Sequence, residues 1–126
     1  MRMRSFKVVV LIASFTVLQA CETVQPLYYW GNYESLIYQM YLMPGKAPPE
    51  VQIERLTQDI QRAEGSGLRV PPGLYAHLGM MYAMQGSVAQ AEAAFAEEVR
   101  RYPESEVFIQ GMMTRVKTQN IQGVAL

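Results

Sequence analysis

The chain contains few residues of the types that build metal centres and disulfides. Cysteine and histidine each occur once in its 126 residues. A single cysteine excludes an intrachain disulfide and a multi-thiolate metal site, and a single histidine excludes a histidine-rich metal centre. The sequence also lacks G-x-S-x-G, P-loop, H-E-x-x-H and G-x-G-x-x-G motifs. We therefore expect no enzymatic activity, no catalytic residue, no metal and no small-molecule substrate.

The sequence also has no excess of positive or negative charge. The eleven basic and eleven acidic residues cancel, whereas nucleic-acid-binding proteins usually show a strong basic excess. Half of the residues are hydrophobic, which is enough for a packed core and excludes wholesale disorder. The length suits one domain rather than two. These features predict a single folded domain without a nucleic-acid partner.

No hydrophobic run is long enough to span a membrane, and the longest run lies near the amino terminus. Val8–Leu18 is free of charge over eleven residues, whereas a membrane-spanning helix needs roughly 20. The basic residues Arg2, Arg4 and Lys7 precede it, and this order is typical of a secretory signal peptide. We predict a signal peptide over residues 1–20. The alternative interpretation is a core helix.

The end of this segment, Leu18-Gln19-Ala20-Cys21, has an apolar residue three positions before the cysteine and a small residue directly before it. It resembles the bacterial lipobox, from which Gln19 departs. The resemblance implies cleavage before Cys21 and attachment of an S-diacylglycerol and an N-acyl chain such as palmitate, with no other cofactor. Each buried methylene contributes about 0.8 kcal/mol to membrane binding. The alternative is that Cys21 is a buried thiol.

The residue after the cysteine bears on the location. Many bacterial lipoproteins that stay at the inner membrane have an aspartate there, and this chain has Glu22. We therefore expect a lipid anchor in the outer membrane, with the protein facing the periplasm, rather than in the inner membrane. Removal of residues 1–20 leaves eleven acidic and eight basic residues, so the mature chain is mildly acidic.

After residue 20 the sequence is typical of an all-α protein, because no later segment alternates apolar and polar residues over five positions. The predicted order is the lipidated cysteine and a tether over 21–32, a helical domain over 33–118 and a flexible tail over 119–126. A tether of this length reaches at most about 40 Å when extended. The domain is therefore expected to lie close to the membrane.

Two helices are predicted at the start of the domain. The first begins after Asn32, a residue favoured as an N-cap, and ends at Pro44-Gly45. Its apolar stripe comprises Leu36, Ile37, Met40 and Tyr41. The second begins near Pro48-Pro49 and ends at Gly65-Ser66-Gly67. Its buried face is predicted to comprise Ile53, Leu56, Ile60 and Ala63, and its exposed face Glu54, Arg55, Asp59 and Arg62.

Residues 72–105 contain a spaced set of aromatic and small residues. The set comprises Tyr75, Leu78, Gly79, Tyr82, Ala91, Phe95 and Pro103. It resembles one copy of the tetratricopeptide repeat, W-x2-L-G-x2-Y, A-x3-F, P, with Tyr75 in place of the tryptophan. Glu98 departs from the small residue usual at its position. The resemblance implies two antiparallel helices that approach closely at Gly79 and Ala91.

Further residues mark the ends of these helices and the helix that follows. Gly86 is the predicted turn, and Ser87 with Gln90 forms a predicted capping box. A capping helix is predicted over 104–117, with Gly111 at a close crossing. Its packing side is predicted to comprise Val107, Phe108, Met112 and Val116. The expected fold is a short tetratricopeptide-like solenoid of about five helices.

The chain as a whole resembles an uncharacterised family of small proteobacterial lipoproteins. The resemblance rests on Cys21, on the aromatic box Tyr29-Trp30-Gly31-x-Tyr33 and on the repeat that ends at Pro103. Members of that family are often encoded beside a lipoprotein that resembles the curli secretion channel and a lipoprotein of a further family. The resemblance implies a shared envelope assembly and a partner such as the curli-secretion-channel-like protein.

One helix face of the repeat is the first candidate binding site. Its members are Gly73, Ala76, His77, Met80, Ala83 and Met84. The face is apolar and rich in methionine, which adapts to varied partners, so it could form a groove for an apolar or helical peptide. The alternative is that these residues pack against neighbouring helices. His77 has no acidic neighbour in the sequence, and we interpret it as a partly exposed structural residue.

The aromatic box is the second candidate. Tyr29, Trp30 and Tyr33 could contact a protein partner, the membrane interface or a glycan. The alternative places Tyr33 in the core together with Tyr38 and Tyr41. The charged residues Glu97, Glu98, Arg100 and Arg101 are interpreted as a solvated helix face, with Glu97 paired to Arg101.

These observations predict a lipid-anchored envelope lipoprotein that acts as a non-catalytic protein–protein interaction or assembly module, in a complex of outer-membrane lipoproteins. The alternative is an envelope lipoprotein that binds peptidoglycan or another glycan through the aromatic box.

Overall fold

The computed structural model describes residues 24–43 and 45–124, with side chains up to residue 118. The predicted signal peptide and Cys21 lie outside the described residues. So do Pro44 and the last two residues of the predicted tail.

The described part of the chain contains five α-helices, as the sequence predicts for an all-α fold. They are α1 (Tyr33–Leu42), α2 (Pro49–Ser66), α3 (Leu74–Met84), α4 (Val88–Arg101) and α5 (Glu106–Val124), with a 3-10 turn at Pro103–Ser105 before α5. The only strand-like pairing among these residues is a single parallel bridge between Tyr28 and Arg69. No helix within the described ranges is long and apolar enough to cross a membrane.

The helix boundaries follow mostly from proline and glycine. Pro49 occupies the first turn of α2, where its missing N–H costs no hydrogen bond. The last helix is longer than predicted, because α5 continues past Lys117 to Val124. The segment predicted as a tail from residue 119 is therefore helical as far as Val124.

The core lies mainly between α2 and the α3–α4 hairpin. One cluster joins Leu36 of α1 and Leu56 of α2 to Leu74, Leu78 and Met81 of α3. A second cluster lies on the other side of the hairpin and comprises Ala76, Ala91, Phe95 and Ile109. Helix α3 is shared by both clusters, and seven of its eleven residues are buried. It is the central element against which the other helices pack.

The close approach of α3 and α4 depends on Gly79. A Cβ atom at this position would lie 2.5 Å from Cε1 of Phe95 and 3.1 Å from the backbone oxygen of Ala91. Only glycine fits there without displacing the neighbouring helix. The structure thus has the contact that the spacing of Gly79, Ala91 and Phe95 predicts.

Glu98 is not on a solvated face, as the sequence had suggested, but is only 1 % exposed. Its carboxylate accepts hydrogen bonds from the backbone N–H groups of Gly73 at 2.6 Å and Ala76 at 3.3 Å. These N–H groups belong to the start of α3, where no intrahelical acceptor exists for them. Burial raises the pKa of the Glu98 carboxyl, and the hydrogen bonds from the backbone oppose that rise. The departure from the repeat pattern is therefore a structural bridge between the two helices.

Asp59 is likewise buried, although it was predicted on the exposed face of α2. Its carboxylate accepts hydrogen bonds from Asn32, from the backbone N–H at 2.7 Å and from Nδ2 at 3.0 Å. The side chain of Asn32 is therefore turned toward α2 and does not cap α1. The predicted Ser87 cap is also absent, since α4 has no side-chain cap hydrogen bond.

Several aromatic and apolar residues that were predicted to be buried are exposed. Tyr38 and Tyr41 project from α1 with 53 % and 74 % of their surface accessible. On α5, Val107 and Phe108 are exposed, and Ile109 is the buried residue instead. A Cβ at Gly111 would meet nothing within 4 Å, so no close helix crossing occurs there. Met112 and Val116 pack on the second core cluster as predicted, so the packing side of α5 comprises Ile109, Met112 and Val116.

Candidate binding groove and aromatic segment

An apolar groove of about 190 Å³ lies between α1, α3 and α5. Its floor is formed by α3 through Ala76, His77 and Met80. One wall comes from α1, including Tyr33 and Ile37, and the other comes from α5, through Phe108 and Met112. Four residues of the predicted inner face, Gly73, Ala76, His77 and Met80, thus meet Tyr33 of the aromatic box at one site.

The groove continues toward the carboxyl end of α3. A second depression of about 220 Å³ shares Met80 and Met112 with the first and adds Ala83, Met84 and Arg115. The predicted face of α3 therefore borders one strip of surface along the helix. Ala76 and His77 at its start are buried, whereas Met84 at its end is 65 % exposed. Both interpretations of this face apply, since its first residues are core and its last are accessible.

His77 is buried in the groove floor and not partly exposed as predicted. Its Nε2 lies 2.8 Å from Oε1 of Gln52, and Nε2 of Gln52 donates to the backbone oxygen of Ala47 at 2.6 Å. Because the amide of Gln52 is oriented by that bond, Nε2 of His77 must be the protonated nitrogen. Its Nδ1 is buried without a hydrogen-bond partner among the described residues. Burial lowers the pKa of His77 to about 4, so the ring is neutral at pH 7.

Tyr33 connects the groove to the amino-terminal segment. Its ring centroid lies 5.9 Å from that of His77, and its ring stacks on Trp30 at 6.3 Å with 13° between the planes. Its hydroxyl would lie 2.7 Å from a Cβ at Gly73, whose φ of +88° also favours glycine. Burial and the nearby Glu98 raise the pKa of Tyr33 to about 12. The phenol is therefore neutral, and the groove carries no charge at either aromatic ring.

The remaining rings of the box point in different directions. Tyr29 packs on the core, and its N–H donates to the backbone oxygen of Arg69 at 2.9 Å. Trp30 is 43 % exposed and meets Tyr28 edge to face at 6.0 Å. The three predicted residues Tyr29, Trp30 and Tyr33 thus form a core contact, a surface ring and a groove wall, and not one flat platform.

Arg69 is a member of this site that the sequence analysis missed. Its guanidinium lies 5.3 Å from the ring centroid of Tyr28 and 5.7 Å from that of Tyr102. The backbone pairing between Leu27 and Arg69 brings the two segments together, with Arg69 N–H donating at 3.2 Å. Forty-two positions of sequence separate these residues, and no local pattern indicates the pairing.

Apart from the buried Glu98, the charged residues of α4 are accessible at the surface. Arg101 bonds Glu97 at 2.6 Å and Glu64 of α2 at 3.2 Å, while Arg100 also binds Glu97. The guanidinium of Arg101 lies 5.0 Å from the Tyr75 ring centroid. The predicted pair of Glu97 and Arg101 is therefore present within α4, and the contact of Arg101 with Glu64 ties α4 to α2. In the part of the chain that the structure describes, no group of three His, Cys, Asp or Glu side chains could hold a metal ion.

The fold is that of a small all-α protein with an apolar groove between its first, third and fifth helices. The chain belongs to the family described as a domain of unknown function (DUF4810), whose model matches residues 27–112. The match includes the aromatic box and the groove and begins after Cys21. No curated protein and no solved structure matches the chain.

Proposed function

We propose that this protein is a lipid-anchored lipoprotein of the bacterial envelope that binds another protein through the groove and catalyses no reaction. The observation that supports this most strongly is the groove itself. His77 and Tyr33, which border it, are neutral, and its walls are methionine, isoleucine and aromatic side chains. Such a surface suits the apolar face of a partner helix and offers no pair of charged groups for chemistry.

The α3–α4 hairpin is proposed to be one tetratricopeptide-like repeat, extended by α5. Three features support this: the close contact of Gly79 with Phe95, the turn after Met84 and the stacking of α5 against α4. In such an arrangement the first helix of the repeat lines the inner surface. Here α3 forms the groove floor, which agrees with that placement.

The anchor is proposed to be the acylated Cys21. The lipobox-like sequence that ends at this residue supports the proposal, and Val24, the first described residue, follows three positions later. A tether this short confines the domain to a thin layer at the membrane, which raises its effective concentration for a partner in the same layer. We propose the outer membrane, facing the periplasm, as the location.

The partner is proposed to be another envelope lipoprotein, such as a curli-secretion-channel-like protein. Binding would place an apolar segment of the partner between α1 and α5. Methionine side chains suit this role because they are flexible and polarisable and adapt to the shape of the bound segment. Met80 belongs to both halves of the groove, so a charge there would disturb its whole length.

Capture of the proposed partner tests this function. The full-length protein carrying both Met80→Asp and Met84→Asp is compared with Val107→Asp in a pull-down from detergent-solubilised membranes. Val107 is 83 % exposed on α5 and outside the groove, so its variant controls for an added surface charge. We expect the channel-like lipoprotein to be captured by the wild type and by the control, and lost with the double variant. Unchanged capture by the double variant would remove the groove from the account.

Binding to peptidoglycan is the second candidate, and the half-exposed ring of Trp30 favours it. A flat sugar face could stack on that ring. Sedimentation with purified peptidoglycan separates the two candidates. A protein that binds only a protein partner stays in the supernatant, whereas a glycan-binding protein sediments and loses this property with Trp30→Ala.

A further inference from the structure

We propose that the end of the domain formed by Leu27, Tyr28, Trp30 and Arg69 lies in the headgroup layer of the membrane that holds the anchor, so that the Met84 end of the groove lies away from the bilayer. We call these four residues the Trp30 patch. The proposal rests on the proposed lipid anchor, and it adds the orientation of the domain on the lipid surface.

The composition of the patch matches the membrane interface. Leu27 and Trp30 are 59 % and 43 % exposed, and neighbouring Val24 is 93 % exposed. Tryptophan and tyrosine are favoured at the level of lipid headgroups, because their rings have an apolar body and a polar edge. A surface on which a tryptophan, a leucine and a valine are accessible within seven residues is costly in water and favourable there.

Arg69 supplies the polar part of the patch. Its guanidinium is held between the rings of Tyr28 and Tyr102 and forms no ion pair among the described residues. The planar guanidinium is suited to bind a phosphate with two parallel hydrogen bonds. Because its position is fixed by two rings and by backbone pairing, little side-chain entropy is lost when it meets a lipid phosphate.

The Trp30 patch lies only a few residues after the proposed anchor Cys21. Leu27 follows Cys21 by six residues and Trp30 follows it by nine, which correspond to reaches of at most about 20 Å and about 30 Å. A headgroup layer of several ångströms lies between the acyl chains and water. The patch is therefore the part of the described domain that the anchor holds nearest to the lipid.

The opposite end of the α3–α4 hairpin is directed away from this surface. Arg69 and Val70 precede α3, and the hydroxyl of Tyr102, which follows α4, donates to the backbone oxygen of Val70. The patch is thus at the end of the hairpin where α3 begins and α4 ends. Met84 closes α3 about 15 Å further along the helix axis. The exposed half of the groove is at that distal end, where a partner can reach it.

The only tryptophan of the chain is in the patch, so its fluorescence reports directly on the proposal. The acylated full-length protein is purified from membranes and placed in vesicles of phosphatidylethanolamine and phosphatidylglycerol that contain lipids brominated on their acyl chains. We expect a blue shift of the Trp30 emission and quenching by bromine near the headgroups. In the control, Trp30→Phe with Met84→Trp, the reporter is at the distal end and should not be quenched.

The outcomes separate the patch from the anchor. Mass spectrometry first shows whether Cys21 carries acyl chains. If Cys21 carries none, a maleimide phospholipid is coupled to its thiol, and the quenching of Trp30 fluorescence is measured again. Quenching with only the coupled lipid would support the patch and overturn the natural anchor. An acylated protein whose Trp30 is not quenched, or is quenched no more than a tryptophan at residue 84, would overturn the patch.

Discussion

The carboxylate of Glu98 on α4 binds the backbone N–H of Gly73 at 2.6 Å, directly before α3 begins. This contact joins the end of one helix to the start of its antiparallel partner. It also lies beneath the groove, because Gly73 and Ala76, the two residues that donate to Glu98, line it. The shape of the groove floor therefore depends on a buried acid that takes no part in binding.

Replacing Glu98 should be costly. In Glu98→Ala the N–H groups of Gly73 and Ala76 lose their acceptor in a buried site, and we expect a loss of about 3 kcal/mol in the free energy of unfolding. Urea denaturation followed by circular dichroism measures it. Glu104→Ala, at an exposed position of the 3-10 turn, should change stability by less than about 0.5 kcal/mol. Equal stability of the two variants would contradict the structural role of Glu98.

Gly79 of α3 and Gly111 of α5 should respond in opposite ways to alanine. Gly79→Ala places a methyl group 2.5 Å from Phe95 Cε1, and we expect a loss of about 1–3 kcal/mol from the resulting strain. Gly111→Ala meets nothing within 4 Å, and the higher helix propensity of alanine should stabilise α5 by up to about 1 kcal/mol. Thermal unfolding of both variants provides the comparison, and a stable Gly79→Ala protein would exclude the close α3–α4 contact.

Asp59 should hold the amino-terminal segment to α2. Asp59→Ala leaves the N–H of Asn32 without its acceptor and removes the bond to the Asn32 amide, so the start of α1 should loosen. We expect faster hydrogen exchange over residues 29–36, measured by mass spectrometry. Glu54→Ala changes an exposed carboxylate on the same helix and serves as the control. Identical exchange in the two variants would show that the link contributes nothing.

The buried His77 should make stability depend on pH. Because its pKa is about 4 in the folded chain and about 6.5 in the unfolded chain, the unfolded state binds more protons between these values. Stability is therefore full above pH 6.5 and falls as the pH drops toward 4, by up to about 3 kcal/mol from this residue. His77→Gln removes the titrating group, so its unfolding free energy should fall less over the same range. Parallel pH curves for both proteins would contradict a buried neutral imidazole.

The sequence predicts the helices well where a strong local signal exists. The limits of α2 follow from Pro49 and from the glycines around Ser66, and the α3–α4 hairpin follows from the spacing of Gly79, Ala91 and Phe95. These signals depend on backbone sterics and on side-chain volume, and both can be read from neighbouring positions.

The residues whose burial or contacts were not predicted correctly share one physical cause. Asp59 and Glu98 are buried acids whose hydrogen-bond donors lie 27 positions away for Asp59 and 25 and 22 positions away for Glu98, so their charge alone suggested solvent. Arg69 joins the aromatic segment through a backbone pairing with Leu27, which is 42 positions away in the sequence. On α5, Ile109 is the buried residue in place of Val107 and Phe108, whereas Met112 and Val116 pack on the core as predicted. Tertiary contacts decide each of these positions.

The groove was predicted in part. His77, Met80 and Met84 were placed on one face of α3, and they do border it. The walls from α1 and α5 were not predicted, because they depend on how three helices meet. The aromatic box divides into a core residue, a surface residue and a groove residue. The sequence does not predict this division, because the three rings differ there only in their spacing.

The groove is proposed to receive a protein partner at the membrane. A photo-crosslinking amino acid at Met84, the exposed end of the groove, examines this contact in the full-length protein in living cells. We expect a crosslink from Met84 to one envelope lipoprotein, and we expect this crosslink to be lost when Met80→Asp is added. The same probe at Val107 should give no crosslink to that lipoprotein. Crosslinks that persist with Met80→Asp, or that are the same from both positions, would contradict the proposed contact.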